Sequence, residues 1–352
     1  MIDDPIHIVT GGDLRFLSGV QVTISSALIG MPEEASVVVH ILDGGLGNDA
    51  RNNLQELAQR CHHQVQIVFH AVPKSSLEAY VPGPGNSRMY YARIGMASLI
   101  TEVERVIYLD SDTLVMGDLS QLWETESEGA IVMACKDRKV SKLSEDSPWP
   151  LSPEEANLPY FNSGVMLVDL NQWRAEQIEK QCLDLITRPS GLYSWWDQTI
   201  LNHLLRGRIQ FLSQEWNWQS EEEPDSDTHP LVLHYTTGLK PWVYWGSAFR
   251  FKAWRKCYKA CVGSPSRLFL KNGSWRGFIN GLFDGLLDNS TPIRGLYLAY
   301  LKVSHKLSSS KERANLLDQK IRFLNSPHDS RNRKNEKQLL KEFNRRIAAR
   351  VR

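Results

Sequence analysis

Val106-Ile107-Tyr108-Leu109-Asp110-Ser111-Asp112 is the stretch on which the reading of the fold turns. A short apolar run bounded by polar residues reads as a buried strand, because helices need longer periodic stretches. The run stops at two carboxylates one residue apart. In α/β sheets, ligands collect outside the C-terminal ends of strands, so Asp110 and Asp112 can face one ligand there. Such a pair suits a divalent cation that also holds phosphate oxygens. Solvated turn aspartates carry the same pattern, so it needs partners elsewhere in the chain.

Upstream, strand and helix signals alternate. Ile6 to Thr10 reads as a strand ending at Gly11-Gly12-Asp13, followed by a helix through Val20, Ile24 and Leu28. Ala35 to Leu42 reads as the next strand, closed by Asp43-Gly44-Gly45. Residues 49–60 read as a helix and Val65 to Phe69 as a third strand. This alternation predicts an α/β fold with a mostly parallel central sheet. Pro73 to Ser87 holds three Pro and two Gly and reads as a loop of the kind that closes over ligands. Tyr90 to Ile100 reads as a helix, and Ala130 to Cys135 and Gly164 to Leu170 as further strands. Val140 to Pro159, with four Pro, and Gln219 to Pro230, with five acidic residues, read as polar loops.

Three other segments carry groups that could join the aspartates. His234-Tyr235-Thr236-Thr237-Gly238-Leu239-Lys240 follows the apolar run Leu231 to Leu233. A strand-end His can ligate a metal, and Lys240 supplies a point charge for phosphate. Phe161-Asn162-Ser163-Gly164-Val165 precedes a strand, and Trp196-Asp197-Gln198-Thr199 opens a helix. Asn, Asp and Gln there suit hydrogen bonds to sugar hydroxyls, although Asp197 could equally cap its helix.

Hydrophobic residues at 42% and charged residues at 23% supply an ordinary globular core and exclude collagen-like, disordered and disulfide-scaffold chains. The net charge of +1 conceals opposites. From Gly263 onward there are 19 Lys and Arg against 7 Asp and Glu, whereas residues 1–262 carry 22 against 33. The division predicts a body over 1–262 and a basic helical region over 263–352. Apolar stripes run through the latter at helical spacing: Trp275, Phe278, Ile279, Leu282 and Phe283, then Leu339, Leu340, Phe343, Ile347 and Val351. Such stripes under basic residues point to an anionic membrane surface, or to packing on the acidic body, more than to nucleic acid. Five scattered cysteines read as buried thiols in a reducing compartment. With neither a signal peptide nor an apolar run of spanning length, the chain reads as cytoplasmic, with peripheral contact to the inner membrane face.

Taken in order from Ile6 to Trp242, these segments resemble the family 8 glycosyltransferases, which include bacterial lipopolysaccharide galactosyl- and glucosyltransferases and glycogenin. Ile41-Leu42-Asp43-Gly44-Gly45 is similar to that family's second strand end, and Tyr91-Ala92-Arg93 stands at its usual distance before the aspartates. The resemblance implies a GT-A type, Rossmann-like nucleotide-sugar-binding domain that transfers a hexose, galactose or glucose, from a UDP-sugar with retention. Mn²⁺ or Mg²⁺ would be held by Asp110, Asp112 and His234. Asp13, Phe16, Arg93, Ser111, Asn162, Asp197, Gln198, Gly238 and Lys240 would line the nucleotide sugar, with Gln198, Asp197 and Lys240 nearest the chemistry. The acceptor would be a saccharide or glycolipid, such as lipopolysaccharide or another cell-surface glycan. The family's Asp-Asp-Asn-Tyr is Asp13-Leu14-Arg15-Phe16 here, and the Gly three places after the His is Thr237. Two other readings compete. One is a haloacid-dehalogenase-type phosphatase with Asp110 as nucleophile; the other is a sugar-nucleotide-binding module without turnover.

Overall fold

The computed structural model describes residues 4–82, 87–187, 195–219, 229–236, 240–242, 249–263 and 333–351. The chain forms two compact units, one of residues 1–218 with 230–234, the other of 219–229 with 235–352. The change of composition near residue 263 lies inside the second unit.

The first unit opens with β1 (Ile6–Gly12), α1 (Leu17–Gly30), β2 (Val37–Asp43), α2 (Asn48–Cys61) and β3 (Val65–Ala71). α1 carries apolar and small residues almost all round, and Gly19 through Ile29 are buried. α2 buries one stripe, Ala50, Leu54, Leu57, Ala58 and Cys61, as expected of an amphipathic surface helix. The chain continues through α3 (Lys74–Leu77), a 3₁₀ turn at Met89–Arg93, α4 (Met96–Leu99), β4 (Arg105–Leu109), β5 (Thr113–Val115) and α5 (Ser120–Trp123). Then come β6 (Val132–Lys136), α6 (Pro153–Ala156), β7 (Phe161–Asp169), α7 (Leu170–Ala175), α8 (Ile178–Ile186), α9 (Asp197–Leu204) and β8 (Ile209–Phe211).

Seven strands form one sheet in the order β3-β2-β1-β4-β7-β6-β8. The β3-β2-β1-β4 half is parallel, as the alternation predicts, and β6 pairs β8 in parallel. β7 runs antiparallel to both neighbours, β4 and β6. A separate two-stranded sheet joins β5 to β9 (Val232–His234), antiparallel, with Thr113 opposite His234. The core buries Val106, Tyr108, Met166, Val168, Trp173, Ile200 and Leu201 between the sheet and its helices.

Several local expectations change. Tyr90 to Ile100 is a 3₁₀ turn and a short helix rather than one helix, and Gly95 caps the second piece. Val140 to Pro159 is not a plain loop. It contains α6, whose Ser152–Glu155 capping box explains why a helix starts there, and it buries Val140, Leu143 and Trp149. β7 begins at Phe161, so Asn162 and Ser163 are strand residues. In the loop expected to close over ligands, α3 and Tyr80 are docked: Tyr80 is buried and stacks on Tyr91 at 4.2 Å. Residues 83–86 lie outside the described ones.

The second unit contains α10 (Phe249–Cys261) and α11 (Arg333–Arg350), which pack together. Leu340, Phe343 and Ile347 of the α11 stripe are buried within the protein, whereas Leu339 and Val351 are partly exposed. Trp275, Phe278, Ile279, Leu282 and Phe283 lie outside the described residues. No described helix is long and apolar enough to cross a membrane. All five cysteines are free and buried.

Candidate functional site

β4 delivers Asp110 to the rim of the sheet, and a tight turn does the rest. The Asp110 amide donates to the Gly164 carbonyl on β7 (2.8 Å), and the Thr113 hydroxyl donates to the Asp110 carbonyl (2.8 Å). β5 starts at Thr113, so the register of β5 with β9 sets His234 beside the two carboxylates. Oxygens of Asp110 and Asp112 and a nitrogen of His234 lie within 4.8 Å of one another. His234 Nε2 is 3.2 Å from Asp112 Oδ1 and 3.6 Å from Asp110 Oδ2. Gly164 creates the room. A Cβ there would stand 2.1 Å from His234 Cε1 and 2.8 Å from Asp110 Oδ2. Two carboxylate oxygens and one imidazole nitrogen so close together could hold a divalent cation.

Arg93, buried beneath this cluster, joins three parts of the chain. Its Nη2 donates to Asp110 Oδ1 (2.7 Å), its Nη1 to the Ser163 carbonyl (2.6 Å), and its Nε pairs with Asp197 Oδ2 (2.9 Å). The guanidinium also lies 4.6 Å from the centre of the Tyr108 ring, whose hydroxyl donates to Asp110 Oδ1 (3.0 Å). Burial disfavours the Arg93 charge, but Asp110 and Asp197 hold its pKa above the ordinary value. Burial pushes the Asp197 carboxyl up to about 7, against the pull of Arg93 and with repulsion from Asp110 adding to it. Asp197 is therefore the anchor of Arg93. The residue at the N-cap of α9 is Trp196. Trp196 has φ of 49°, uncommon for a side chain of its size, and stacks on Tyr90 at 5.3 Å.

A second layer of amides lies behind. The Ser163 amide donates to Gln198 Oε1 (3.1 Å) and the Gly164 amide to Asn162 Oδ1 (3.0 Å). Gln198 Nε2 and Asn162 Nδ2 both donate to Asp137 Oδ2, at 3.2 and 2.9 Å. Asn162 Oδ1 also accepts from Asn217 Nδ2 (2.9 Å), and Asn217 Oδ1 meets His234 Nδ1 (2.9 Å).

With this geometry in view, comparison with known proteins decides the class. The profile of glycosyl transferase family 8 matches residues 7–246. The chain belongs to glycosyltransferase family 8. It is 28% identical over 253 residues to a lipopolysaccharide 1,2-glucosyltransferase of Escherichia coli K12, covering 68% of this chain and 73% of that one. Identity to a lipopolysaccharide 1,3-galactosyltransferase of Salmonella typhimurium is 26% over 256 residues, 69% of this chain and 75% of that one. The galactosyltransferase LgtC, solved with donor and acceptor sugar analogues, superposes with a TM-score of 0.63 at 21% identity, covering 77% of this chain and 99% of LgtC. The fold of this glycosyltransferase is thus GT-A, with a mixed, mostly parallel central sheet.

In the glycosyltransferase, Asp110, Asp112, Arg93, Asp197 and His234 come together, and Asn162, Ser163 and Gln198 stand directly behind them. Asp13 is paired with Arg15, at 2.6 Å between Asp13 Oδ2 and Arg15 Nη2, and Phe16 is the N-cap residue of α1. Ser111 Oγ would be 4.0 Å from a Cβ on Gly12, which places it over the end of β1. Lys240 belongs to the second unit, where its Nζ donates to the Tyr235 carbonyl (2.6 Å). Gly238 lies outside the described residues.

Three participants escaped the sequence reading. Asp137 follows a strand of its own, so the strand-end rule that selects Asp110 could have found it. Tyr108 stands inside the apolar run read as a buried strand, and that pattern carries no signal for its hydroxyl. Asn217 gave no signal at all, since a lone Asn between Trp216 and Trp218 has no pattern.

Proposed function

We propose that this glycosyltransferase moves a galactose or glucose residue, with retention, from a UDP-sugar to a saccharide acceptor, with Asp110, Asp112 and His234 holding a Mn²⁺ or Mg²⁺ ion. One observation carries the reading: three potential ligands, Asp110, Asp112 and the sequence-distant His234, converge, and the missing side chain of Gly164 leaves space for them. The lipopolysaccharide glucosyl- and galactosyltransferases among the relatives favour a lipopolysaccharide or another cell-surface glycan as acceptor.

Breaking the anomeric C–O bond leaves negative charge on UDP and positive charge on the sugar ring. The bound cation supplies Lewis-acid stabilisation of the diphosphate. Asp110 and Asp112 fix its place, and Arg93 holds Asp110 in a single orientation. Asp13 and Phe16 serve the nucleoside. Retention requires either a covalent sugar–enzyme intermediate or attack on the face the leaving group vacates. The Asp197 carboxylate is committed to Arg93, and the Gln198 amide is held by Ser163 and Asp137. Both commitments favour same-face attack, with the departing phosphate oxygen accepting the acceptor's proton.

The phosphatase reading would need Asp110 as a free nucleophile, whereas its Oδ1 accepts from both Arg93 and Tyr108. A panel of UDP-sugars, with and without Mn²⁺, tests the choice by the product released. UDP release that depends on the ion is expected. Release of inorganic phosphate, or no turnover and no donor binding across the panel, would overturn the proposal.

A further inference from the structure

We propose that Asn217 is a positioning residue that forces His234 to carry its proton on Nδ1, so that Nε2 faces the carboxylates as a ready metal ligand. In isolation, either ring nitrogen of a neutral histidine can hold the proton, and only the nitrogen without it can bind a cation. The choice is therefore made by whatever the other nitrogen meets.

Here the choice is dictated from the backbone. The Gly164 N–H can only donate, so the Asn162 atom it meets at 3.0 Å must be the carbonyl oxygen. The same oxygen is 2.9 Å from the Asn217 side chain, so the Asn217 atom facing it must be the NH₂ group. The remaining Asn217 atom, 2.9 Å from His234 Nδ1, is then an oxygen, which accepts and cannot donate. His234 Nδ1 must carry the hydrogen. Whenever the ring is neutral, Nε2 is then the nitrogen with the lone pair, and it lies 3.2 Å from Asp112 Oδ1 and 3.6 Å from Asp110 Oδ2. The far end of the relay is fixed too, because the Asn162 NH₂ donates to Asp137 Oδ2 (2.9 Å).

Burial makes the relay stringent. Asn217 is fully buried and Asn162 and His234 nearly so, so water cannot replace a lost partner. Flipping the Asn217 amide would set like against like at two contacts, and flipping Asn162 at three. Asn217 touches no substrate in this scheme; it acts through His234. Outer partners of this kind commonly alter metal affinity by about ten- to a hundredfold when removed.

The affinity part of the inference rests on the metal reading given above, whereas the tautomer can be read without any ion. Long-range ¹H–¹⁵N correlation spectra of the full chain, free of metal and recorded at alkaline pH where the ring is neutral, should show His234 as the Nδ1–H tautomer. In Asn217→Leu, which is similar in size and cannot accept, the Nε2–H form should appear. Mn²⁺ titration followed by electron paramagnetic resonance should show affinity about ten- to a hundredfold weaker. Unfolding of the metal-free variant reports whether the fold survives. An Nε2–H tautomer in the wild-type chain would overturn the inference, even if the variant failed to fold. Unchanged tautomer and unchanged Mn²⁺ affinity in a folded variant would overturn it as well. If Asp112→Asn bound Mn²⁺ as tightly as the wild type, the metal reading would fail while the tautomer result stood by itself.

Discussion

At the residue scale the site is a contest for space and charge around Asp110. Its Oδ1 accepts from Arg93 and Tyr108 while its Oδ2 faces His234, so the carboxylate cannot rotate without losing a partner on each side. Asp112 completes the ligand set, and Asp112→Asn removes an anionic ligand while keeping the shape. Metal-dependent turnover should fall by about a hundredfold or more, a loss of roughly 3 kcal/mol, while unfolding of the metal-free variant stays near that of the wild type. Initial rates at saturating Mn²⁺ and UDP-sugar measure this. Gly164→Ala makes a different demand. A methyl placed 2.1 Å from His234 Cε1 must push the imidazole away and strain its bond from Nδ1 to buried Asn217. Overpacking of this kind costs about 1–3 kcal/mol, and Mn²⁺ affinity should drop together with stability. Denaturant unfolding and metal titration on one preparation check both effects.

The elements show why some of this was legible beforehand and some was not. β4 could be read directly, because Val106 to Leu109 has the length and composition of a buried strand and Asp110 stops it. The pairing of β5 with β9 could not be read, since three-residue strands leave no periodicity and only tertiary register joins Thr113 to His234. α6 was missed within a Pro-rich stretch although Ser152 and Glu155 form a regular capping signature. The sheet also contains a line of imidazoles that alternation alone does not predict. His7 on β1, His40 on β2 and His70 on β3 are linked Nδ1 to Nε2 at 2.9 Å per link. Burial drives the His40 pKa down to about 3, and the facing His7 and His70 push it the same way; burial lowers those two as well. A histidine whose pKa is depressed by folding stabilises fully above its unfolded value of about 6.5 and loses that contribution as pH falls toward the folded value. Stability should therefore drop between about pH 6.5 and pH 3. His40→Val should flatten that part of the curve relative to the wild type. Urea unfolding at pH 7, 5.5 and 4.5 would show the difference in slope.

For the whole molecule, the opposition of an acidic body and a basic C-terminal region is the broadest feature of the sequence. Protein covers Leu340, Phe343 and Ile347 of α11, so that helix does not offer them to lipid. Should the chain dock on an anionic surface, the apolar residues left for it in the sequence are those around Trp275, Phe278 and Phe283. Each basic residue near such a surface adds roughly 1 kcal/mol, so binding should weaken steeply with salt. Co-sedimentation of the full chain with anionic vesicles is expected at low salt, and the triple replacement Trp275→Ser, Phe278→Ser, Phe283→Ser should reduce it at least about tenfold, since each buried ring contributes on the order of 1–3 kcal/mol. Equal partitioning of the two proteins, or none to anionic vesicles, would remove membrane docking and much of the case for a glycolipid acceptor.

The pairing of Thr113 with His234 also has a consequence in time. Every strand of the large sheet is complete by Phe211, so the scaffold and both carboxylates exist before the last ligand has been made. At translation rates of about 5–20 residues per second, more than a hundred residues separate Asp112 from His234 by on the order of ten seconds. During that interval a nascent chain has a closed floor and an open clasp. The imidazole arrives last, on a strand too short to hold by itself, and an arriving cation would fasten it there. Capture of the ion and closure of the first unit would then be one event, with most of the second unit still to be made.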